Sequence, residues 1–407
     1  MRPARISALA LALVASAASF ADTAVVRLVP GSDASKVSAR AGVRLLGTTA
    51  SGRYARLDLG TGSQVAPRLR ALRRARGISV AEREVRFAAA QIRSAFPTTL
   101  RKGGVIPVVG GRAFYQAANA DLLATINWDR SLAEAPGREI RVAILDTGLA
   151  EAAGGLWAKT DASRNFVEPG ESPIDRPMGV DTRGDGVPDQ AVGHGTLVAG
   201  VVDMVSPQSR LVVARIADSD GVATSWTLIQ GLEFALEQGA EVVNVSLASR
   251  RRSGLVDEAL QSVEAAGAIV VAAAGNDGAH DVYYPADAAT VLGVAGLDLD
   301  GNRASFSNWH ATVDLCAPAI SVIGPDWSGE TVNWSGTSFS SAFVAGSVAD
   351  ALRRTAPQSP RAVRAAIIGN GRSSATYRTG LGVVLDFQSL SVALGRGRER
   401  PGFRPKF

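Results

Sequence analysis

Apolar positions along this chain fall into short runs separated by glycine-marked and polar stretches. Arg141 to Leu145, Leu211 to Ile216, Val242 to Leu247, Ala268 to Ala274 and Thr290 to Ala295 are such runs, and each reads as a buried strand. They alternate with helical segments near His194–Val205, Trp226–Gln238, Leu255–Ala266 and Ser338–Arg353. Strands without a polar face, spaced by helices, predict an α/β domain with a mostly parallel sheet covered on both sides. Nearer the N-terminus, Thr23 to Leu28 and Tyr54 to Leu59 read as strands, and Ala34 to Ala41 as a short helix. Gln64 to Arg76 carries Val65, Leu69 and Leu72 at helical spacing, and Val80 to Phe87 is expected to close the sheet of a small α+β module. The chain has no internal repeats.

The first residues have a different logic. Arg2 and Arg5 precede an apolar run from Ile6 to Phe20, and the small residues Ser19 and Ala21 suit a cut after Ala21. That pattern predicts a secretory signal peptide over 1–21, because the apolar run is short for a membrane span. An exported protein is expected, secreted or periplasmic. The expected organisation is then 1–21 signal peptide, 22–102 small α+β segment, 103–394 main α/β domain and 395–407 disordered tail rich in Gly, Pro and Arg. Arg101-Lys102-Gly103-Gly104 is a candidate exposed processing site.

Composition narrows the class. A chain of 407 residues with 46% apolar and 20% charged side chains can bury a large core. The net charge of +5 conceals a division. Residues 22–102 hold 16 Lys/Arg against 5 Asp/Glu, whereas 103–394 hold 20 against 32. Opposite signs on the two segments favour their association through long-range attraction. The basic excess lies outside the main domain and no groove-reading motif accompanies it, so nucleic acid is not expected as a partner. A single cysteine, Cys316, permits no intrachain disulfide and reads as a small core residue.

Four short segments carry the candidate chemistry: Asp146-Thr147-Gly148, Gly193-His194-Gly195-Thr196, Ala274-Gly275-Asn276 and Gly336-Thr337-Ser338. Asp146 ends a buried strand, where α/β folds place their sites, and a buried carboxylate there can hold an imidazole Nδ1–H. Of three histidines, His280 and His310 lie in polar loop-like stretches, while His194 leads into an apolar helix and suits a general base. Ser338 opens a helix, whose N-terminal N–H groups and dipole stabilise a developing oxyanion. The chain order Asp, His, Ser excludes the α/β-hydrolase arrangement. Gly336-Thr337-Ser338-Phe339-Ser340 also lacks the second glycine of that fold's nucleophile elbow.

These four segments resemble the subtilisin-like serine proteases, or subtilases, over roughly residues 128–390. The resemblance implies a serine endopeptidase acting on protein or peptide substrates, with Ser338 as nucleophile, His194 as base, Asp146 orienting it and Asn276 as side-chain oxyanion donor. It implies that Val245-Ser246-Leu247-Ala248 is a strand edge receiving an extended peptide, and that Ala272-Ala273-Ala274-Gly275 forms another wall of the primary pocket. Substrate binding is thus expected at Ser246, Leu247, Ala248, Ala274 and Gly275. Small residues there suggest a roomy apolar pocket with Asp277 near its rim. By position, 22–102 resembles the pro-segment that assists folding and then inhibits the enzyme.

The family usually has proline at Ala342, histidine at Leu197 and glycine at Ala319. None of these departures removes a catalytic group. A non-catalytic binding protein on the same fold would usually have lost a triad residue, and none is lost. No cofactor is implied. Asp181, Asp185 and Asp189 have the spacing of a calcium loop. Arg183 takes a ligand position and Val192 stands where that loop has Glu, so a glycine-rich surface loop is expected and no metal ligand is assigned.

Overall fold

The predicted alternation of buried runs and helices produces an eight-stranded sheet in which every pair of neighbours is parallel. The structure is a computed structural model that describes residues 22–89, 103–106, 110–373 and 381–395. The expected signal peptide, Arg101-Lys102 and residues 396–407 of the tail lie outside the described residues.

Contacts divide the chain into two units: residues up to Thr48 with Tyr54–Arg83, and Thr49–Arg53 with everything from Glu84 onward. The first unit is the small α+β module. It contains β1 (Asp22–Leu28), α1 (Ala34–Arg40), β2 (Arg44–Thr48), β3 (Tyr54–Gly60), α2 (Val65–Leu72) and β4 (Ile78–Arg83). The strands pair antiparallel in the order β2-β3-β1-β4. Asp33 starts α1 by accepting the Lys36 N–H at 3.0 Å. Val26, Val37, Leu57 and Leu72 share the core of this unit.

Two expectations change here. β2 was not expected, because its register slips between Leu45 and Gly47 and its residues alternate between exposed and half-buried, without a buried row. The single strand expected over Val80 to Phe87 is broken. β4 ends at Arg83, and β5 (Arg86–Ala89) joins a different sheet. Val85 is held instead by Ser225: its N–H donates to Ser225 Oγ at 3.1 Å and its carbonyl accepts the Ser225 N–H at 2.7 Å.

The second unit continues from β5 through β6 (Gly103–Ile106) and the short helices α3 (Arg112–Ala118), α4 (Ala120–Thr125) and α5 (Arg130–Glu134) to β7 (Arg141–Asp146). Next come α6 (Gly154–Trp157), β8 (Thr160–Asn165), α7 (His194–Val205), β9 (Arg210–Arg215), β10 (Val222–Thr224) and α8 (Ser225–Glu237). They are followed by β11 (Val242–Val245), β12 (Leu247–Ala248), α9 (Gly254–Ala265), β13 (Ile269–Ala273), β14 (Val291–Leu297) and β15 (Leu315–Pro318). The antiparallel pair β16 (Val322–Pro325) and β17 (Thr331–Trp334) precedes α10 (Thr337–Arg353), α11 (Pro360–Asn370), β18 (Val383–Val384) and α12 (Phe387–Gly395).

The large sheet has the order β18-β15-β14-β13-β11-β7-β9-β8. Every residue of β11 and β13 is buried, as strands covered on both faces require. α7 and α10 pack together in the main core, and all residues of both are buried. α8 and α9 pack on each other and against β9 and β13 respectively. This wrapping sets Asp146 at the carboxyl end of β7, and Ser246 and Ala274 just past β11 and β13. His194 and Ser338 stand in the first turns of α7 and α10. Crossover connections bring strand ends and helix starts to one side of the sheet, so the sequence-separated segments converge there.

Helix α10 is the element whose displacement would cost most, since Phe343 at its centre is fully buried. Replacing it with alanine, Phe343→Ala, is expected to lower stability by about 3–5 kcal/mol. Guanidinium unfolding of both chains measures this. A loss below about 1 kcal/mol would mean that the core around α10 collapses to fill the space.

Candidate active site

The site begins with one buried pair. Asp146 and His194 are almost wholly inaccessible, and His194 Nδ1 lies 2.7 Å from Asp146 Oδ1. A carboxylate accepts only, so Nδ1 carries the hydrogen and the tautomer is fixed with Nε2 unprotonated in the neutral ring. Asp146 Oδ1 also accepts the Thr147 N–H at 2.8 Å. Gly148 follows with φ +108°, a conformation open to glycine, and a Cβ there would run into the Pro173 carbonyl. The chain therefore turns away beneath the carboxylate and leaves room for α7. His194 Nε2 is buried without a hydrogen-bond partner. Its ring is flanked by Phe339 and Trp334, with centroids at 5.8 and 6.1 Å.

Ser338, the residue before Phe339, is buried in the first turn of α10. Its Oγ donates to the Ser246 carbonyl at 3.3 Å. Beneath it, Ser246 Oγ and Ser341 Oγ both donate to the Ser338 carbonyl, at 3.1 and 2.8 Å, and Asn244 Nδ2 donates to Ser246 Oγ at 2.8 Å. Asn276 Oδ1 accepts the Thr337 N–H at 2.9 Å. Its acceptor atom is therefore committed to α10, and any donation falls to Nδ2. The four expected residues Asp146, His194, Ser338 and Asn276 thus stand on elements that touch one another.

The expected substrate-binding residues also converge. Leu247 and Ala248 form β12 and lie opposite Ala89 and Ala88 of β5 in an antiparallel pairing. The other edge of β5 pairs with β10, where Val222, Ala223 and Thr224 face Ala88, Phe87 and Arg86. An extended segment of this same chain, Arg86 to Ala89, therefore forms one wall of a cleft of about 610 Å³, whose lining also includes Ala248, Gly275 and Asn276. Sequence reading missed this, because nothing in Arg86-Phe87-Ala88-Ala89 distinguishes it from an ordinary strand. Beside Ala248 and Gly275, where a roomy apolar pocket was expected, the lining also includes a large side chain, Tyr283. The ring of Tyr283 packs on Gly275, with Cδ2 standing 2.9 Å from where a Cβ would be. Its hydroxyl donates to Asp277 Oδ2 at 2.5 Å. Only the aromatic pair Tyr283-Tyr284 in a polar stretch hinted at it.

The loop with calcium-like spacing uses its carboxylates internally. Asp181 accepts the N–H groups of Gly184, Asp185 and Gly186. Asp189 accepts those of Met178 and Gly179 and the Ser219 hydroxyl. Arg183, at the would-be ligand position, donates through its N–H to Asp220 Oδ2 and through Nε to the Asp220 carbonyl. Among the described residues no group of three or more His, Cys, Asp or Glu could hold a metal ion. Cys316 is fully buried, and burial pushes its thiol up to about 12, which leaves it inert as a nucleophile at neutral pH.

One participant carried no sequence signal. Asp175 is buried behind the site, and its Oδ2 accepts hydroxyl hydrogens from Thr147 at 2.9 Å and Thr196 at 3.1 Å. Thr147 Oγ1 in turn accepts the Gly195 N–H at 2.9 Å. Asp175 therefore ties the turn after Asp146 to the start of the His194 helix. Burial raises its carboxyl from 3.8 to about 6, against the opposing hydrogen bonds of Gly193, Thr147 and Thr196. Among the described residues no hydrogen-bond partner meets its Oδ1.

A raised acid binds its proton more tightly in the folded chain. Its stabilising contribution is thus complete below about pH 3.8 and is lost as pH rises through about 6. Asp175→Asn keeps an acceptor for both threonines but cannot ionise. Thermal melts from pH 4 to 7 should show a stability decline in the wild type that is flattened in this variant. Parallel curves would mean that Asp175 titrates in its ordinary range.

Comparison with known proteins agrees with this geometry. The model of the Subtilase family matches residues 137–383. Subtilisin BL of Lederbergia lenta is 33% identical over 242 residues, covering 55% of this chain and 83% of that protein. Subtilisin DY of Bacillus licheniformis is 33% identical over 241 residues, covering 56% and 82%. Among solved structures, fervidolysin from Fervidobacterium pennivorans, described as a keratinolytic enzyme related to subtilisin, aligns with a TM-score of 0.73. It is 20% identical, and the match covers 91% of this chain and 61% of that one, a likeness of fold. The chain belongs to the subtilase family and is a serine-type endopeptidase.

Proposed function

We propose that Asp146, His194 and Ser338 are the catalytic triad of this peptidase and that Asn276 is its side-chain oxyanion donor. The observation that carries this reading is the buried 2.7 Å Asp146–His194 pair set against the first turn of α10, to which Asn276 is tied through Thr337. Ser338 Oγ leaves the Ser246 carbonyl, hydrogen-bonds to His194 Nε2 and attacks the peptide carbonyl as Nε2 takes its proton. Asp146 stabilises the imidazolium without taking the proton. The oxyanion is held by Asn276 Nδ2 and the Ser338 N–H at the positive end of α10. His194 then gives the proton to the leaving amine, and water repeats the sequence on the acyl-enzyme. Protein or peptide substrates bind as an added antiparallel strand along Ser246, Leu247 and Ala248, with Ala274 and Gly275 on the facing wall. No step needs a cofactor.

The same reading extends to maturation. Residues 1–21 serve as a signal peptide, the segment that follows is a removable inhibitory pro-segment, and the mature enzyme acts outside the cytoplasm. No helix among the described residues is long and apolar enough to cross a membrane. β5 already occupies the position proposed for substrate, with Ala89 opposite Leu247. A substrate strand that continues this register by one residue sets its carbonyl beside Ser246. We therefore place self-cleavage within a few residues after Ala89, ahead of Arg101-Lys102.

Two measurements test this. The intact mass and N-terminus of exported wild type should show loss of the chain to just beyond Ala89, while Ser338→Ala retains it. Retention in both would refute self-cleavage, and a cut after Lys102 would refute the placement. Asn276→Ala should lower turnover on a peptide substrate by about 10²–10³, a range that comes from a subtilisin and is carried over here as an expectation. An unchanged turnover would remove Asn276 from the oxyanion site.

A further inference from the structure

The crevice beside Ser338 is bounded on three sides by main chain. Its two walls, 246–249 and 274–277, run on from the adjacent parallel strands β11 and β13, paired at Val245 and Ala272. Tyr283-Tyr284 rejoins them. The Tyr283 N–H donates to the Ala274 carbonyl at 3.0 Å, while Ser249 and Tyr284 exchange N–H to carbonyl bonds at 2.8 and 3.0 Å. A substrate residue opposite Ser246, next after the position of Ala89, therefore has its side chain between these walls.

The space is narrowed. A Cβ at Gly275 would collide with Asn308 Nδ2 and stand 2.9 Å from Tyr283 Cδ2, and the φ of +110° itself requires glycine, so Asn308 and the Tyr283 ring both close on this wall. The tyrosine is only 8% exposed. Its hydroxyl reaches along that wall to Asp277 Oδ2 at 2.5 Å and accepts from Arg250 Nε, beyond the other wall, at 2.7 Å. Arg250 Nη2 closes the triangle on Asp277 Oδ2 at 2.9 Å, with its guanidinium 5.1 Å from the ring centroid. Burial and the Asp277 bond raise the Tyr283 phenol, which stays a neutral donor. The ring is thus pinned at both ends and cannot swing aside without breaking a charge-assisted triad of hydrogen bonds.

We infer that Tyr283, braced by Asp277 and Arg250, narrows the primary specificity pocket, so that this peptidase cleaves after small residues such as alanine and rejects aromatic and long aliphatic ones. The inference rests on the peptidase reading of the cleft. It is an exclusion built into the site: a large side chain must displace a close-packed ring, whereas alanine needs no room beyond the crevice mouth. Three residues further upstream the site is different. Phe87 of β5 is buried, with its ring 5.9 Å from that of Tyr284, so a large apolar side chain is accommodated there. The chain's own Phe87-Ala88-Ala89 shows which substrate sequence to offer.

The test uses full-length chain, expressed and allowed to process, with succinyl-Phe-Ala-Ala-Xaa-p-nitroanilides in which the last residue is Ala, Leu or Phe. For wild type, kcat/KM with Ala should exceed that with Phe by at least about 100-fold. In Tyr283→Gly the ratio should fall by at least about tenfold through a gain on the Phe substrate. Tyr283→Phe keeps the ring but loses the hydroxyl anchors, so its Ala-to-Phe ratio should fall between those of wild type and Tyr283→Gly. The wild-type profile alone decides the matter should Tyr283→Gly not fold. Cleavage after Phe or Leu by wild type as fast as after Ala would overturn the inference while leaving the peptidase intact. Hydrolysis of none of the peptides above the level of Ser338→Ala would overturn the proposed site and the inference with it.

Discussion

The site depends on one hydrogen bond between groups that water scarcely reaches, from His194 Nδ1 to Asp146 Oδ1 at 2.7 Å. An ionised carboxylate withdrawn from water costs several kcal/mol unless its lone pairs are used, so the fold must supply donors where the strand ends. It supplies two, the Nδ1–H of His194 and the N–H of Thr147, both on Oδ1. Much of the local architecture follows from keeping that donor set in place. Gly148 turns the chain away, Thr147 receives the Gly195 N–H, and Asp175 gathers the hydroxyls of Thr147 and Thr196. The strand end and the helix start are thereby fixed to each other through side chains that do no chemistry themselves.

The second constraint is the burial of α10. A helix of 17 residues, all inaccessible, cannot tilt without disturbing the core on every side. That rigidity gives its first turn a fixed place, so the Ser338 N–H and the Asn276 side chain hold their geometry before substrate arrives. Donors fixed in advance need no reorganisation as charge develops, and that is the advantage the proposed oxyanion site would draw from α10. The hydroxyls of Ser246 and Ser341 below Ser338 serve the same end by saturating its carbonyl.

The cleft adds a selective layer to this machinery. In the proposed binding mode, main-chain pairing of the kind β5 makes with β12 and β10 is indifferent to side chains and would hold any extended strand. Discrimination then falls to the few places where a side chain meets a wall. Tyr283 narrows one of these and Tyr284 packs against Phe87 at another. Adjacent tyrosines held by bonds to Ala274 and Ser249 thus serve opposite ends of one binding strand, so this short segment governs substrate choice at two subsites.

The sequence by itself determined the framework. The runs Arg141 to Leu145, Val242 to Leu247 and Ala268 to Ala274 are too apolar to lie anywhere except in a sheet covered on both faces, and they became β7, β11–β12 and β13. Asp146, His194, Asn276 and Ser338 stood out as candidates because each sits near a glycine at a strand end or a helix start, a local pattern. What only the tertiary structure decided were pairings between residues distant in the chain. Asp175 looks like any loop carboxylate until burial and two threonine hydroxyls gather around it. Val80 to Phe87 reads as one strand, yet Ser225 captures Val85 and divides it between two sheets. Ala274 and Gly275 read as the wall of a pocket, but nothing in them announces Tyr283, whose backbone bonds to Ala274 and whose ring joins the lining. Hydrophobic periodicity encodes which face of an element is buried. It does not encode which distant side chain comes to occupy the space beside it, because that is settled by the packing of the folded chain.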